Sequence, residues 1–303
     1  MNHLLYLEGL RCHPFKKVRH MKKALLLIIG FVLCWSTWEN VSAQTIATSV
    51  YKKNHIKNRK PIPFATIRES DIMWSKLVWR IIDLREKVNL PLYYPTEPQD
   101  DRYSLIDLLL YGIENEGLTA YDTYDDEFKS PLTMDEIRAN FDALNDTITK
   151  RNRLTGELEK KVIPGQIHSD DVKRYIVKEQ WFFDKQTSTL QVRIIGLCPI
   201  REYVKEGESD MDGLQQKKLF WIYFPEVRSL LATHEVYNSR NDAARYSFDD
   251  LFLRRQFSSF ITQTSNVFNN RPISDYTVGI ESLLEAEKIK TDIFNFEHDL
   301  WEF

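Results

Sequence analysis

The run Lys173-Arg-Tyr-Ile-Val-Lys-Glu-Gln-Trp-Phe-Phe183, the polar step Asp184-Lys-Gln-Thr-Ser188 and the run Thr189-Leu-Gln-Val-Arg-Ile-Ile-Gly-Leu-Cys-Pro-Ile200 decide the fold. Both runs are rich in Val, Ile, Tyr, Phe and Trp, side chains that suit a pleated surface, and the five residues between them have turn character. They read as two antiparallel strands. After a polar loop, Lys217 to Phe224 supplies a third strand through Leu219, Phe220, Trp221, Ile222 and Tyr223.

Helices are expected on both sides of this core. Trp74, Leu77, Val78, Ile81, Ile82 and Leu84 recur at helical spacing between Asp71 and Val88; Ser70 or Asp71 can cap the first turn, and Asn89-Leu90-Pro91 ends it. A second helix is expected from Ser104 to about Glu116, stopped by Gly117. Leu118 to Tyr124 reads as a short strand. Thr133-Met-Asp-Glu136 is a capping box that opens a third helix to about Leu144, and 145–165 reads as a polar surface excursion. On the C-terminal side, Ser247 caps a helix to Phe260 with Asp249 and Asp250 in its first turn, and a last helix covers Thr277 to Lys290 or beyond. The class is α+β, an antiparallel β core flanked by N-terminal and C-terminal helices, with 65–303 forming a single domain.

The first 43 residues read as a leader. Met21-Lys22-Lys23 precedes an apolar run from Ala24 to Leu33, and Val41-Ser42-Ala43 places small residues before a cut after Ala43. The run is far shorter than the ~20 residues of a membrane-spanning helix. Residues 1–20 carry no leader feature, so Met21 is read as the start. Cys34 follows bulky Phe31-Val32-Leu33, which disfavours a lipoprotein cut. The leader holds six Lys/Arg and two Asp/Glu, so its removal takes the net charge from −3 to −7, which argues against general nucleic-acid binding. Cys198 then remains alone, without a partner for an internal disulfide. Residues 44–64 carry Lys52, Lys53, Lys57, Arg59 and Lys60 before Pro61 and Pro63, and read as an extended basic arm.

A search for reactive groups returns little. No Gly-rich phosphate loop and no Gly-x-Ser-x-Gly elbow occurs. Of His55, His168, His234 and His298, none has a second His or Cys at ligand spacing; His234-Glu235 begins like a zinc-protease helix, but Asn238 stands where the second His belongs. Glu208-x-Asp210-x-Asp212-Gly213 opens like a calcium loop, but its twelfth position is Leu219, so a solvated turn is the better reading. Cys198, at the end of an apolar strand, reads as a buried, inert thiol. No catalytic, cofactor-binding or metal-binding residue is assigned, and the chain is read as a non-enzyme.

Three stretches together carry a resemblance: Asp71 to Pro95 with paired tryptophans and Tyr93-Tyr94-Pro95; Trp181 to Gly196; and Leu219-Phe-Trp-Ile-Tyr-Phe-Pro225 continuing through Glu235-Val-Tyr-Asn238 and Asn241-Asp-Ala243 to Ser247-Phe-Asp-Asp-Leu-Phe252. They resemble the GldN/PorN family of gliding-motility and type IX secretion proteins. The resemblance implies a periplasmic subunit without catalytic residues. It would join a GldK/PorK-like outer-membrane lipoprotein and its own copies in a ring beneath the outer membrane. The resemblance supplies no binding residues; from charge alone, the expected contacts use Lys52, Lys53, Lys57, Arg59 and Lys60 of the arm against acidic loops at 122–127 (Asp125, Asp126, Glu127) or 206–212. For Asp71–Val88 both a core and a contact reading fit, and Trp79 and Arg80, off the main apolar stripe, are the candidate anchors of the second. The competing readings are a periplasmic carbohydrate- or peptidoglycan-binding module using exposed aromatics, and a hydrolase built from scattered carboxylates.

Overall fold

The computed structural model describes residues 55–300 apart from Asp100, Asp125, 144–145, 152–157, Pro164, 205–213, Ser239 and Asp242; of 146–151 and 158–163 it describes only the backbone. The leader, Lys52, Lys53, Asp125 and the Glu208–Gly213 turn therefore lie outside the described residues. Those that are described belong to one unit, Lys53–Phe303.

In chain order the strands are β1 (Ile72–Asp83), β2 (Ala120–Tyr121), β3 (Pro131–Leu132), β4 (Asp146–Arg151), β5 (Leu158–Ile163), β6 (Val172–Asp184), β7 (Thr189–Val204), β8 (Leu214–Lys218), β9 (Trp221–Tyr223), β10 (Glu235–Val236), β11 (Tyr246–Ser247) and β12 (Phe260–Thr264). The α-helices are α1 (Leu90–Tyr93), α2 (Leu105–Asn115), α3 (Met134–Asn140), α4 (Phe224–Thr233), α5 (Phe248–Leu253) and α6 (Ile280–Asp299). An eight-stranded antiparallel sheet runs β12-β1-β6-β7-β9-β2-β3, with β8 pairing the end of β7; β4–β5 and β10–β11 form separate two-stranded ribbons. The α+β class stands.

The β6–β7 hairpin is its spine. Its register runs from Asp184↔Thr189 to Val172↔Arg201. The turn closes because the Asp184 carboxylate accepts from the Gln186 amide at 2.9 Å and Ser188 takes a left-handed backbone (φ 51°). At Gly196 a Cβ would stand 2.5 Å from the Phe128 ring, so only glycine lets that ring close on the sheet.

The largest departure from expectation lies in the first packed segment. The segment expected as a helix over Asp71–Val88 is strand β1, paired with β6 from Ile72↔Asp184 to Asp83↔Arg174 and with β12 on its other edge. Both faces of β1 are covered. Trp74, Val78 and Ile82 meet the helices, whereas Leu77, Trp79 and Ile81 meet a second apolar cluster on the opposite face. Two interleaved apolar sets with period two imitate a helical stripe, and Val78, Ile81 and Ile82, stiff at χ1, settle the matter for the strand.

Elsewhere the punctuation holds. Ser104 caps α2 by accepting from the Asp107 amide, and Gly117 stands just past its end with φ 71°. Thr133–Glu136 forms the capping box of α3. Ser247–Asp250 forms another at α5, but that helix stops at Leu253, and Phe260 opens β12 instead. The expected Lys217–Phe224 strand splits into the end of β8 and β9, with Phe224 starting α4. The 145–165 excursion contains the β4–β5 ribbon.

The main core lies between the sheet and α1 to α5. Ile82, Tyr175, Val177 and Leu197 from the strands meet Leu105, Leu108 and Leu109 of α2, Ile137 of α3, Val227 and Leu231 of α4, and Phe248 and Phe252 of α5. The last helix packs separately on the same face, through Ala286, Ile289 and Ile293 against Val78 and Ile261, and Phe296 stacks on Trp74 at 4.7 Å.

Candidate functional site

The basic arm is bound to its own chain where it is described. Ile56 is buried, the Lys57 ammonium lies 3.0 Å from Asp101, and the Arg59 guanidinium lies 2.5 Å from Asp250 in the first turn of α5. Arg228 of α4 donates to the Ile62 carbonyl at 2.7 Å and covers the Phe64 ring at 4.0 Å, while Arg193 of β7 donates to the Ala65 carbonyl at 2.5 Å and flanks the same ring at 5.0 Å. Phe64 is thus held between two guanidiniums, a favourable arrangement for the face of a π system. Burial, with Arg228 close by, lowers the Arg193 pKa. Residues 55–65 form a strap rather than a free arm. Lys57 and Arg59 already have acidic partners within the chain, and Lys60 stands exposed.

Arg228 in turn is anchored by Asp249. The guanidinium reaches the carboxylate with two bonds, 2.9 and 3.1 Å, and both side chains are buried at about 5% and 4% exposure. This fork-to-fork geometry lets two charges leave water together.

Trp79 and Arg80, neighbours in sequence, point to opposite faces of the sheet, as successive strand residues must. Trp79 is buried, which removes it from the candidate interface. It stands opposite Lys178 on β6 and donates through Nε1 to the Asp126 carboxylate at 2.7 Å. The buried Lys178 ammonium lies 3.1 Å from the same carboxylate and donates to the Asp126 carbonyl at 2.8 Å. Asp126 is therefore spent on folding its own loop onto the sheet. Glu127 pairs with Lys129.

On the helix-side face, Arg80 donates to the Ser259 hydroxyl at 2.9 Å, and burial lowers its pKa against the pull of Glu179. Glu179 is fully buried, paired with Arg255 at 2.8 Å, and accepts from Trp181 Nε1 at 3.2 Å. A groove of about 370 Å³ between this cluster and α6 is lined by Arg80, Trp181, Ile261, Lys290 and Phe294. A family model described as gliding motility associated protein GldN matches residues 67–302.

The chain belongs to the GldN family. A comparison with curated proteins finds no match. The GldN match begins just past the strap and takes in β1, the β6–β7 hairpin and α6, including all three stretches that carry the resemblance. GldN is a gliding motility associated family and not a known enzyme family. Cys198, fully buried in β7, has its thiol pKa pushed up to about 12, chiefly by burial, and is an inert core residue. Among the described residues no group of three or more His, Cys, Asp or Glu side chains is placed to hold a metal, and no helix is long and apolar enough to cross a membrane.

In this GldN-family chain the ionic groups that organise the sheet faces escaped the sequence reading. Lys178 and Glu179 interrupt an apolar strand, and Arg228 falls on the apolar face of α4 set by Phe224, Val227 and Leu231. A charge at an apolar-periodic position was the available signal, since burial there demands a partner. The surface left unpaired lies near the C-terminus. Phe268, Val278, Ile280, Leu283 and Leu284 are exposed, and Arg271 lies 4.6 Å from the Phe268 ring and 4.8 Å from that of Tyr276.

Proposed function

We propose that this protein is a non-enzymatic structural subunit of the periplasmic ring of the type IX secretion and gliding machinery, held beneath the outer membrane by a GldK/PorK-like lipoprotein. The GldN family relation supports the motility setting. The leader read at 21–43 supports export. The observation that carries a binding role is the apolar row at the start of α6: Ile280, Leu283 and Leu284, with Val278 just before it, are each more than half exposed.

α6 already buries one stripe, Ala286, Ile289 and Ile293, so this second stripe is surplus to folding. Burying three such side chains in a contact would release on the order of 5 kcal/mol. Arg271 with Phe268 and Tyr276 adds the aromatic and arginine composition typical of contact centres. A closed ring of identical subunits joins unlike patches, and we assign the α6 row to the contact with the neighbouring copy. The strap, anchored within its own chain, is not the contact element.

The test is co-expression of the protein with its lipoprotein partner, followed by imaging of purified particles. Leu283→Glu and Leu284→Glu should leave circular dichroism and thermal unfolding unchanged yet yield single subunits instead of rings. Intact rings from both variants would refute the assignment of this surface, and failure of the unaltered protein to co-purify with the lipoprotein would refute the ring reading itself.

A further inference from the structure

The sheet face opposite the helices holds a cavity of about 310 Å³ whose floor is Trp79, Ile176 and Trp221. None of the contacts assigned to assembly uses it. Its volume sits at the small end of ligand pockets, which run from about 300 to 1,000 Å³. The two indoles are held rigidly: Trp79 by Asp126, and Trp221 by a core that includes Cys198 and Ile200.

The rim is polar, and part of it is unspent. Asn269 and Asn270 both adopt left-handed backbone, at φ 54° and 55°. Asn270 is engaged, its side-chain oxygen accepting from the Asn266 amide at 3.0 Å and its carbonyl accepting from Gln263. Asn269, Lys218 and Tyr124 also line the cavity, and their side chains make no hydrogen bond or ion pair among the described residues. Tyr124 is 93% exposed. Asp126, the acid among the described lining residues, is already neutralised by Lys178. Among the described residues the cavity thus offers one uncompensated ammonium, an amide able both to donate and to accept, and an open aromatic face.

We infer that this cavity is a binding site for an acidic sugar, a pyranose carrying one carboxylate. The carboxylate would pair with Lys218 and the ring hydroxyls with Asn269, the amide serving both roles a hydroxyl requires. The apolar face of the sugar ring would lie against Tyr124. A phosphate ligand fits less well, since its greater charge is best met by an arginine fork or by more than one cation, and Lys218 is the one cation among the described lining residues. The site uses none of the α6 row, whose residues do not line it, although Asn269 directly follows Phe268 of the proposed contact; ring formation by Lys218→Gln, which is remote from that contact in sequence, keeps the two proposals distinguishable.

The experiment titrates the purified protein with N-acetylmuramic acid and with glucuronic acid, using N-acetylglucosamine as the uncharged control. It is followed by calorimetry and by tryptophan emission, to which the floor residues Trp79 and Trp221 would respond. Both acids should bind saturably, about tenfold more tightly than the control. Lys218→Gln should abolish that preference, and Asn269→Ala and Tyr124→Ala should each weaken binding of the acids. All three side chains are exposed, so the variants should fold, and unchanged far-ultraviolet circular dichroism checks this. Absence of saturable binding for both acids, or binding indifferent to Lys218→Gln and Asn269→Ala, overturns the inference.

Discussion

Replacing Arg228 by Met tests the account of how the helical layer and the strap are held. The substitution keeps an unbranched stem of similar bulk to the aliphatic part of arginine but removes the only counter-charge within bonding distance of Asp249 among the described residues. That carboxylate is buried, so it must either remain charged in a poorly polarisable environment or take up a proton. Breaking a buried pair from one side costs about 3–5 kcal/mol. With an m-value of about 3 kcal/mol/M, reasonable for a domain of this size, the urea midpoint should fall by about 1 M or slightly more. Arg228→Met combined with Asp249→Leu should recover most of this loss, because two apolar side chains can replace a buried ion pair at little cost. A double-mutant cycle by tryptophan fluorescence should therefore give a coupling of about 2 kcal/mol or more. The double variant has a second signature: without Arg228 the Ile62 carbonyl and the Phe64 ring lose an anchor, so trypsin should cut after Arg59 faster in an otherwise stable protein, the bond after Lys60 being blocked by Pro61. A loss below about 1 kcal/mol for Arg228→Met, or a double variant no more stable than the single one, would refute the reasoning.

Three further outcomes follow from the same geometry. Trp79→Ala should cost about 3–5 kcal/mol in urea unfolding and Trp79→Phe about 1–2, the latter reflecting the lost bond to Asp126; a stable Trp79→Ala protein that merely fails to assemble would return this residue to the surface. The Asp83 carboxyl is lowered to about 2 from 3.8, mainly by its bond to Arg85. Its stabilising effect is complete above the ordinary value and is lost as the pH falls through the depressed one, so unfolding midpoints should drop between about pH 4 and pH 2, less steeply in Asp83→Asn, by at most about 2 kcal/mol. Cys198, its thiol pKa pushed up to about 12 by burial, should react with a disulfide reagent at neutral pH only as fast as the protein unfolds; rapid labelling of the native protein would contradict its placement.

Much of the fold was legible because it is written in local chemistry. The turn at Asp184–Ser188, the helix start at Ser104, the caps at Thr133 and Ser247 and the stop at Gly117 act within five residues of themselves, so their meaning does not depend on distant packing. The β6–β7 hairpin announced itself through β-branched and aromatic residues flanking a polar turn. Strand β1 did not. Its two apolar faces are each half of a different layer, and apolar spacing alone cannot tell a helix stripe from two interleaved strand faces when both are buried; the β-branched Val78, Ile81 and Ile82 were the signal that spacing outweighed.

The amino-acid order alone carried the class, the hairpin spine and the family relation, because propensity, capping and recurring motifs are properties of short segments. The tertiary structure decided which charges face which. It sent Trp79 and Arg80 to opposite sides of one sheet and joined Arg228 to Asp249 across two helices. It also folded the basic arm back onto Asp101, Asp250 and the Arg193–Arg228 clamp. Such pairings join residues tens to well over a hundred positions apart. Their strength comes from shared burial, which exists only once the layers have closed.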